Sequence, residues 1–204
     1  MYSDKKMKKN SEQFNMLIVG TGGQGQITLL QILAEAATAE GYEIKTSELH
    51  GLSQRGGSVE VHLRFGKKIY SPLIAKGKAD FILGLEMQET LKAYYFANPK
   101  TTFLINKQIN PIPLVKNLTE EEILKNLKRV SKNVILVSAA DICKKELGTN
   151  VVAGIYLISL AAFKNLIPLK PTSISKAIKK IIPEKYLELN LKTFDLAKIK
   201  SSQS

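Results

Sequence analysis

The sequence predicts an α/β fold: a Rossmann-like, three-layer, mostly parallel sheet with a β-hairpin insertion and a helical C-terminal region. Three observations carry this. Short unbroken apolar runs alternate with helical patterns, the grammar of parallel strands buried on both faces. The first run meets a glycine-rich turn that opens a helix. One later segment breaks the pattern with strict apolar–polar alternation, which marks a strand with one polar face.

Taken in order, residues 1–13 read as a flexible basic tail. Asn15-Met-Leu-Ile-Val-Gly20 is a buried strand, followed by the turn Gly20-Thr-Gly-Gly-Gln-Gly25. Ile27, Leu30, Leu33, Ala34 and Ala37 then recur at helical spacing, and Gly41 closes that helix. Residues 42–47 form a second strand. In residues 58–65, Val59, Val61, Leu63 and Phe65 point one way, and Ser58, Glu60, His62 and Arg64 the other. Gly66-Lys67 reads as a turn, residues 68–71 pair back as a hairpin, and Pro72 ends it. Residues 79–85 are a buried strand and 86–96 a helix; 101–106 are a strand again. Residues 108–117 hold Pro111 and Pro113 and read as extended. Thr119 caps a helix with Glu120, Glu121 and Glu122 in its first turn. A strand over 133–138 and a short helix over 141–147 precede three helices, about 149–165, 172–182 and 184–199, punctuated by Pro168, Pro171 and Pro183. No Gly-, Ser- or Pro-rich linker divides residues 14–204, so one domain is expected.

The chain has 204 residues and a net charge of +12. Four lysines crowd residues 1–10 and nine lie in residues 161–200, whereas only Arg55, Arg64 and Arg129 are arginines. Nucleic-acid readers lean on Arg for paired contacts to bases and phosphates. The excess therefore reads as a solvated lysine surface, or as a basic patch meeting an acidic partner, rather than a nucleic-acid interface. No apolar run reaches the roughly 18 residues that a membrane span needs, and no signal peptide is recognisable. A cytoplasmic protein is expected. The single cysteine, Cys143, excludes an internal disulfide and any cluster or zinc site built on this chain's own thiolates. No metal site is expected.

Gly20-x-Gly22-x-x-Gly25 after a strand and before a helix fits the dinucleotide fingerprint. Gly20, Gly22, Gly23, Gln24 and Gly25 could shape an anion-accepting turn, or the glycines could simply permit close strand–helix packing. Gln26 and Ile27 stand where a P-loop needs Lys and Ser or Thr, which sets nucleotide hydrolysis aside. Glu48, after the second strand, lies near the place of a ribose-binding acid. A stand-alone NAD(P)-binding oxidoreductase is thus the alternative reading, although the chain lacks a second domain to hold a substrate.

The stretch from Thr46 to Val59 is the most specific. It packs hydroxyls, an acid, an imidazole, an amide and a guanidinium into one loop with three glycines, a composition that a core cannot use. The loop leaves the second strand and should meet the glycine turn at one sheet edge, where open α/β sheets bind ligands. Ser47, Glu48, Gln54, Arg55, Gly56, Gly57, His62 and Arg64 are the expected partner or substrate cleft. Arg55 is the best candidate to hold a carboxylate or phosphate, because a guanidinium matches those oxygens with two parallel bonds. His50 and His62 are candidates for proton transfer or for hydrogen-bonded interface positions.

Thr21-Gly-Gly-Gln-Gly25, then Ser47-Glu-Leu-His-Gly-Leu-Ser-Gln-Arg-Gly-Gly-Ser58, Arg64-Phe-Gly66 and Tyr70-Ser-Pro-Leu73, resemble the gamma-type subunit of 2-oxoacid:ferredoxin oxidoreductases. The His-Gly-x-x-Gln-Arg-Gly-Gly form is closest to the beta subunit of indolepyruvate ferredoxin oxidoreductase. Asn150 and Asn190 also match family positions, and the resemblance runs from Asn15 to Ala197. It implies a division of labour. A large partner subunit holds thiamine diphosphate, magnesium and the 4Fe–4S clusters. The 2-oxoacid is oxidatively decarboxylated, coenzyme A takes the acyl group, and electrons pass to ferredoxin. On this resemblance the chain is expected to bind no cofactor alone and to work only in a hetero-oligomer. It has no Gly-Asp-Gly…Asn-Asn pattern for a magnesium-bound diphosphate and no cysteines for clusters.

Overall fold

The computed structural model describes residues 13–51, 57–111 and 117–203. Within these, six strands and seven helices follow the order β1(Gln13–Thr21), α1(Gln26–Ala39), β2(Glu43–His50), β3(Ser58–Gly66), β4(Phe81–Gly84), α2(Met87–Lys92), β5(Thr102–Asn106), α3(Glu120–Val130), β6(Val134–Val137), α4(Ala139–Leu147), α5(Ala153–Phe163), α6(Pro171–Ile181) and α7(Glu184–Ser201). A 3₁₀ turn over Ala93–Phe96 extends α2. The strands form one sheet in the order β2-β3-β1-β4-β5-β6. β1, β4, β5 and β6 are mutually parallel, and β3 runs antiparallel to both β1 and β2.

β1 shows why three layers form. Met16 and Ile18 join a core on one face with Leu29 and Leu33 of α1 and Ile158 of α5. Leu17 and Val19 join a second core on the other face with Met87, Ile123 and Leu127 of α2 and α3. An unbroken apolar run is what a strand covered on both sides requires. α5 is buried from Ala153 to Ala162, so it runs through the interior of the helical layer.

β3 alternates as its sequence dictates. Val59, Val61, Leu63 and Phe65 enter the α1-side core, and the opposite face is polar. Its partners differ from the sequence expectation. Residues 68–71 form no strand; β3 pairs instead with β2 and β1 and fills the slot between them. Its buried apolar residues need a central position under α1. The carbonyls of Ser71 and Leu73 accept from Arg64 Nη1 at 2.6 and 3.0 Å, so they serve a side chain and not a ladder. The inserted hairpin is therefore β2–β3, and residues 71–74 are a strap across its polar face. β2 likewise is not beside β1, as the opening of a doubly wound sheet would have it, but one strand further out.

Other boundaries shift slightly. Gln13, expected in the tail, opens β1, and residues 1–12 of that expected tail lie outside the described residues. α5 starts at Ala153, later than expected. Thr119 and Glu122 form the reciprocal capping box that opens α3. The extended stretch expected at 108–117 lies partly outside the described residues.

Candidate functional site

The carboxyl ends of β1, β4 and β5 and the start of β3 meet at one sheet edge, joined by polar side chains. The glycine turn leaves β1 there. Gln24 Oε1 accepts from the Thr21 N–H at 2.8 Å, and Gln26 Nε2 donates to the Thr21 carbonyl at 2.8 Å. Both amides thus fold back over Gly20, where a Cβ would sit 2.4 Å from Gln24 Oε1 and 2.9 Å from Gln26 Nε2. Gly20 is small because side chains close over it. Gly23 and Gly25 have φ of 98° and 78°, left-handed values that favour glycine. Gly25 is the N-cap of α1 and brings no side chain to the helix end.

The two motif loops touch. The Gly22 N–H donates to the Gly57 carbonyl at 2.8 Å, and Thr21 lies opposite Ser58 in the β1–β3 register. This bond also bears on the dinucleotide reading. A carbonyl oxygen already takes a turn N–H that a pyrophosphate would use, and the interposed β3 moves Glu48 about 4.8 Å further from the turn than an adjacent strand would.

Beyond the turn lies a partly buried polar network that the sequence reading did not single out. Asn110 Nδ2 donates to Thr21 Oγ1 at 3.1 Å, and Gln108 Nε2 donates to Asn110 Oδ1 at 2.9 Å. Asn106 Nδ2 donates to Gln108 Oε1 at 3.1 Å. Glu86 is 1% exposed. Its carboxylate accepts from the Glu89 N–H at 2.7 Å, capping α2, and from the Asn110 N–H at 3.0 Å. Burial pushes the Glu86 carboxyl above its ordinary range; the backbone donors hold it down and the Glu89 charge adds to the rise. Glu89 accepts from Ser58 Oγ and from Lys92 Nζ. A signal was present in the sequence: Leu85-Glu-Met-Gln-Glu-Thr90 and Asn106-Lys-Gln-Ile-Asn110 each place polar residues directly after a buried strand.

The expected cleft residues divide. Gly20, Gly22, Gly23, Gln24, Gly25 and Gly57 come together at this edge. Glu48 and His50 lie on exposed β2, the outer strand, with His50 Nε2 3.5 Å from Glu48 Oε2, and Ser47 stands opposite His62. Gln54, Arg55 and Gly56 lie outside the described residues. His62 and Arg64 are not with the turn. His62 is buried mid-strand; Nδ1 accepts from the Ile74 N–H at 3.2 Å and Nε2 is 2.8 Å from Glu60 Oε1. Both ring nitrogens are thus engaged within the fold. Arg64 stands opposite Asn15, six residues down β1 from Thr21 and so about 20 Å away. Its Nε donates to Asn15 Oδ1 at 2.9 Å.

Cys143 is buried, and burial pushes its thiol up to about 11, which leaves it unreactive. Among the described residues no group of three or more His, Cys, Asp or Glu could hold a metal ion, and no helix is long and apolar enough to cross a membrane.

The family model for pyruvate ferredoxin/flavodoxin oxidoreductase matches residues 15–198. The chain belongs to that family. The indolepyruvate oxidoreductase subunit IorB of Archaeoglobus fulgidus is 33% identical over 189 residues, covering 90% of this chain and 93% of that one. The pyruvate/ketoisovalerate oxidoreductases common subunit gamma of Pyrococcus abyssi is 28% identical over 180 residues, covering 85% and 89%. The 2-oxoglutarate:ferredoxin oxidoreductase of Magnetococcus marinus shares the fold, with a TM-score of 0.71 at 16% identity. That alignment covers 96% of this chain and 32% of the other, so there the fold is one part of a larger chain. The chain is an oxidoreductase subunit of the gamma type.

Proposed function

We propose that this chain is the small subunit of an indolepyruvate-type 2-oxoacid:ferredoxin oxidoreductase, active only with a large subunit. In this reading the complex decarboxylates an aryl pyruvate, hands the acyl group to coenzyme A and passes electrons to ferredoxin in the cytoplasm. The end-to-end similarity to an indolepyruvate oxidoreductase subunit carries the reading. The similarity to the pyruvate/ketoisovalerate gamma subunit is lower.

Thiamine diphosphate with magnesium and the 4Fe–4S clusters are assigned to the large subunit. The residues here do not fit those groups: the one thiol is buried and its pKa is raised, and the acids of the joined edge are already engaged as a helix cap and as acceptors for Ser58 and Lys92. This chain's contribution is then a shaped edge. The α1 amino end, with no side-chain cap bond, offers N–H groups to a carboxylate or phosphate of the assembled complex. Arg55 is proposed to grip such a group.

The test is ferredoxin reduction by the chain assembled with its large subunit, with indolepyruvate, pyruvate and 2-oxoglutarate compared. The highest kcat/KM is expected for indolepyruvate; a preference for pyruvate or 2-oxoglutarate would reject the aryl assignment. In the same complex Arg55→Ala should lower kcat/KM by about ten- to a hundredfold, the worth of a paired charge-assisted contact. The variant chain should keep its Tm.

A further inference from the structure

Three bonds fix the base of the loop between β2 and β3. The Gly51 N–H donates to the Ser58 carbonyl at 2.9 Å, and the Gly22 N–H to the Gly57 carbonyl at 2.8 Å. Almost any sequence could form these two, because they are backbone bonds. The third is a side-chain bond: Ser58 Oγ donates to Glu89 Oε2, tying the first residue of β3 to α2.

Glu89 is an odd residue to bury. It is 5% exposed and lies three positions from Glu86, another buried carboxylate whose ionisation it opposes. Two like charges in one buried helical turn cost stability unless each is used. Glu86 is used as the helix cap. The Glu89 partners among the described residues are Ser58 and Lys92. The Lys92 side chain is 56% exposed, and such a lysine could be paired from the surface without burying an acid. Of the two, Ser58 is the one that ties α2 to β3.

We infer that Glu89 is a positioning residue, whose carboxylate holds Ser58 and thereby keeps the Gly57 carbonyl on the glycine turn. The consequence for turnover rests on the proposed function; the latch itself does not. Ser58 thereby ties the start of β3 to α2.

Amide hydrogen exchange in the full chain reads the latch directly. Ser58→Ala and Glu89→Ala should each speed exchange at the Gly22 N–H about tenfold, the worth of a hydrogen bond to a charged group. The double variant should be no faster than either single one. Glu89→Gln should lie closer to wild type than Glu89→Ala, because its carbonyl still accepts from Ser58 though without the charge, and Lys92→Ala should stay near wild type. Exchange at Leu83 in mid-sheet should be unchanged throughout, which separates a local latch from general destabilisation. Additive effects, or an unchanged Gly22 rate in folded Ser58→Ala, would overturn the inference. If Glu89→Ala does not fold, Ser58→Ala and Glu89→Gln decide it. In the assembled complex the same ranking should appear in KM for the oxoacid, partly rescued by Glu89→Gln. A Gly22 effect without any active complex would count against the proposed function and leave the latch standing.

Discussion

Glu86 is the residue with the clearest consequence for pH. Its carboxyl is raised from 4.5, first by burial. A raised acid binds its proton more tightly in the folded chain than in the unfolded one. Folding therefore gains from Glu86 at low pH and loses that gain as pH climbs from about 4.5 through the raised folded value. The Tm of the wild type minus that of Glu86→Gln should fall as pH rises through this window. A difference that is flat or rising would show that the cap donors outweigh desolvation. The sequence announced an acid after a strand but not its burial, which depends on Asn110 closing over it from the β5 side. His62 shows the same limit. Its place on the polar face of β3 could be read from alternation, but only the fold supplies the Ile74 amide and the edge of Phe96 that make it a fixed packing group.

Among the elements, the parallel strands were legible because each is a run that only a two-sided core can use. β4 is buried along its whole length, and β5 from Phe103 onward. The partner of β3 was not legible. Alternation tells which face is wet, not which strand lies alongside, and the nearest segment in sequence loses its carbonyls to Arg64. That strap makes Arg64 structural. Arg64→Ala removes bonds to Ser71, Leu73 and Asn15. It should cost about 2 kcal/mol, or about 4–8 °C in Tm for a chain of this length. A melt unchanged within 1–2 °C, smaller than even about 1 kcal/mol would produce, would show that the strap is held by packing alone.

At the scale of the molecule, the sheet brings the glycine turn, the end of the Arg-bearing loop and the amide-rich β5 exit to one edge, through the Gly22–Gly57 and Asn110–Thr21 bonds. That juxtaposition was foreseeable, since both motif loops follow strands that run the same way. The exit of β5 was missed because amides carry no motif of their own. The lysines of α6 and α7 lie on the outside of the helical layer, with Lys180 paired to Glu35 and Lys192 to Glu188, as a solvated surface would be. This edge is proposed to be one half of a site that a large subunit completes. Oxoacid-dependent ferredoxin reduction, measured with the purified chain alone and again with the large subunit restored, tests it most directly. No turnover is expected from the chain alone and full turnover from the complex; turnover by the lone chain would show that the edge needs no companion.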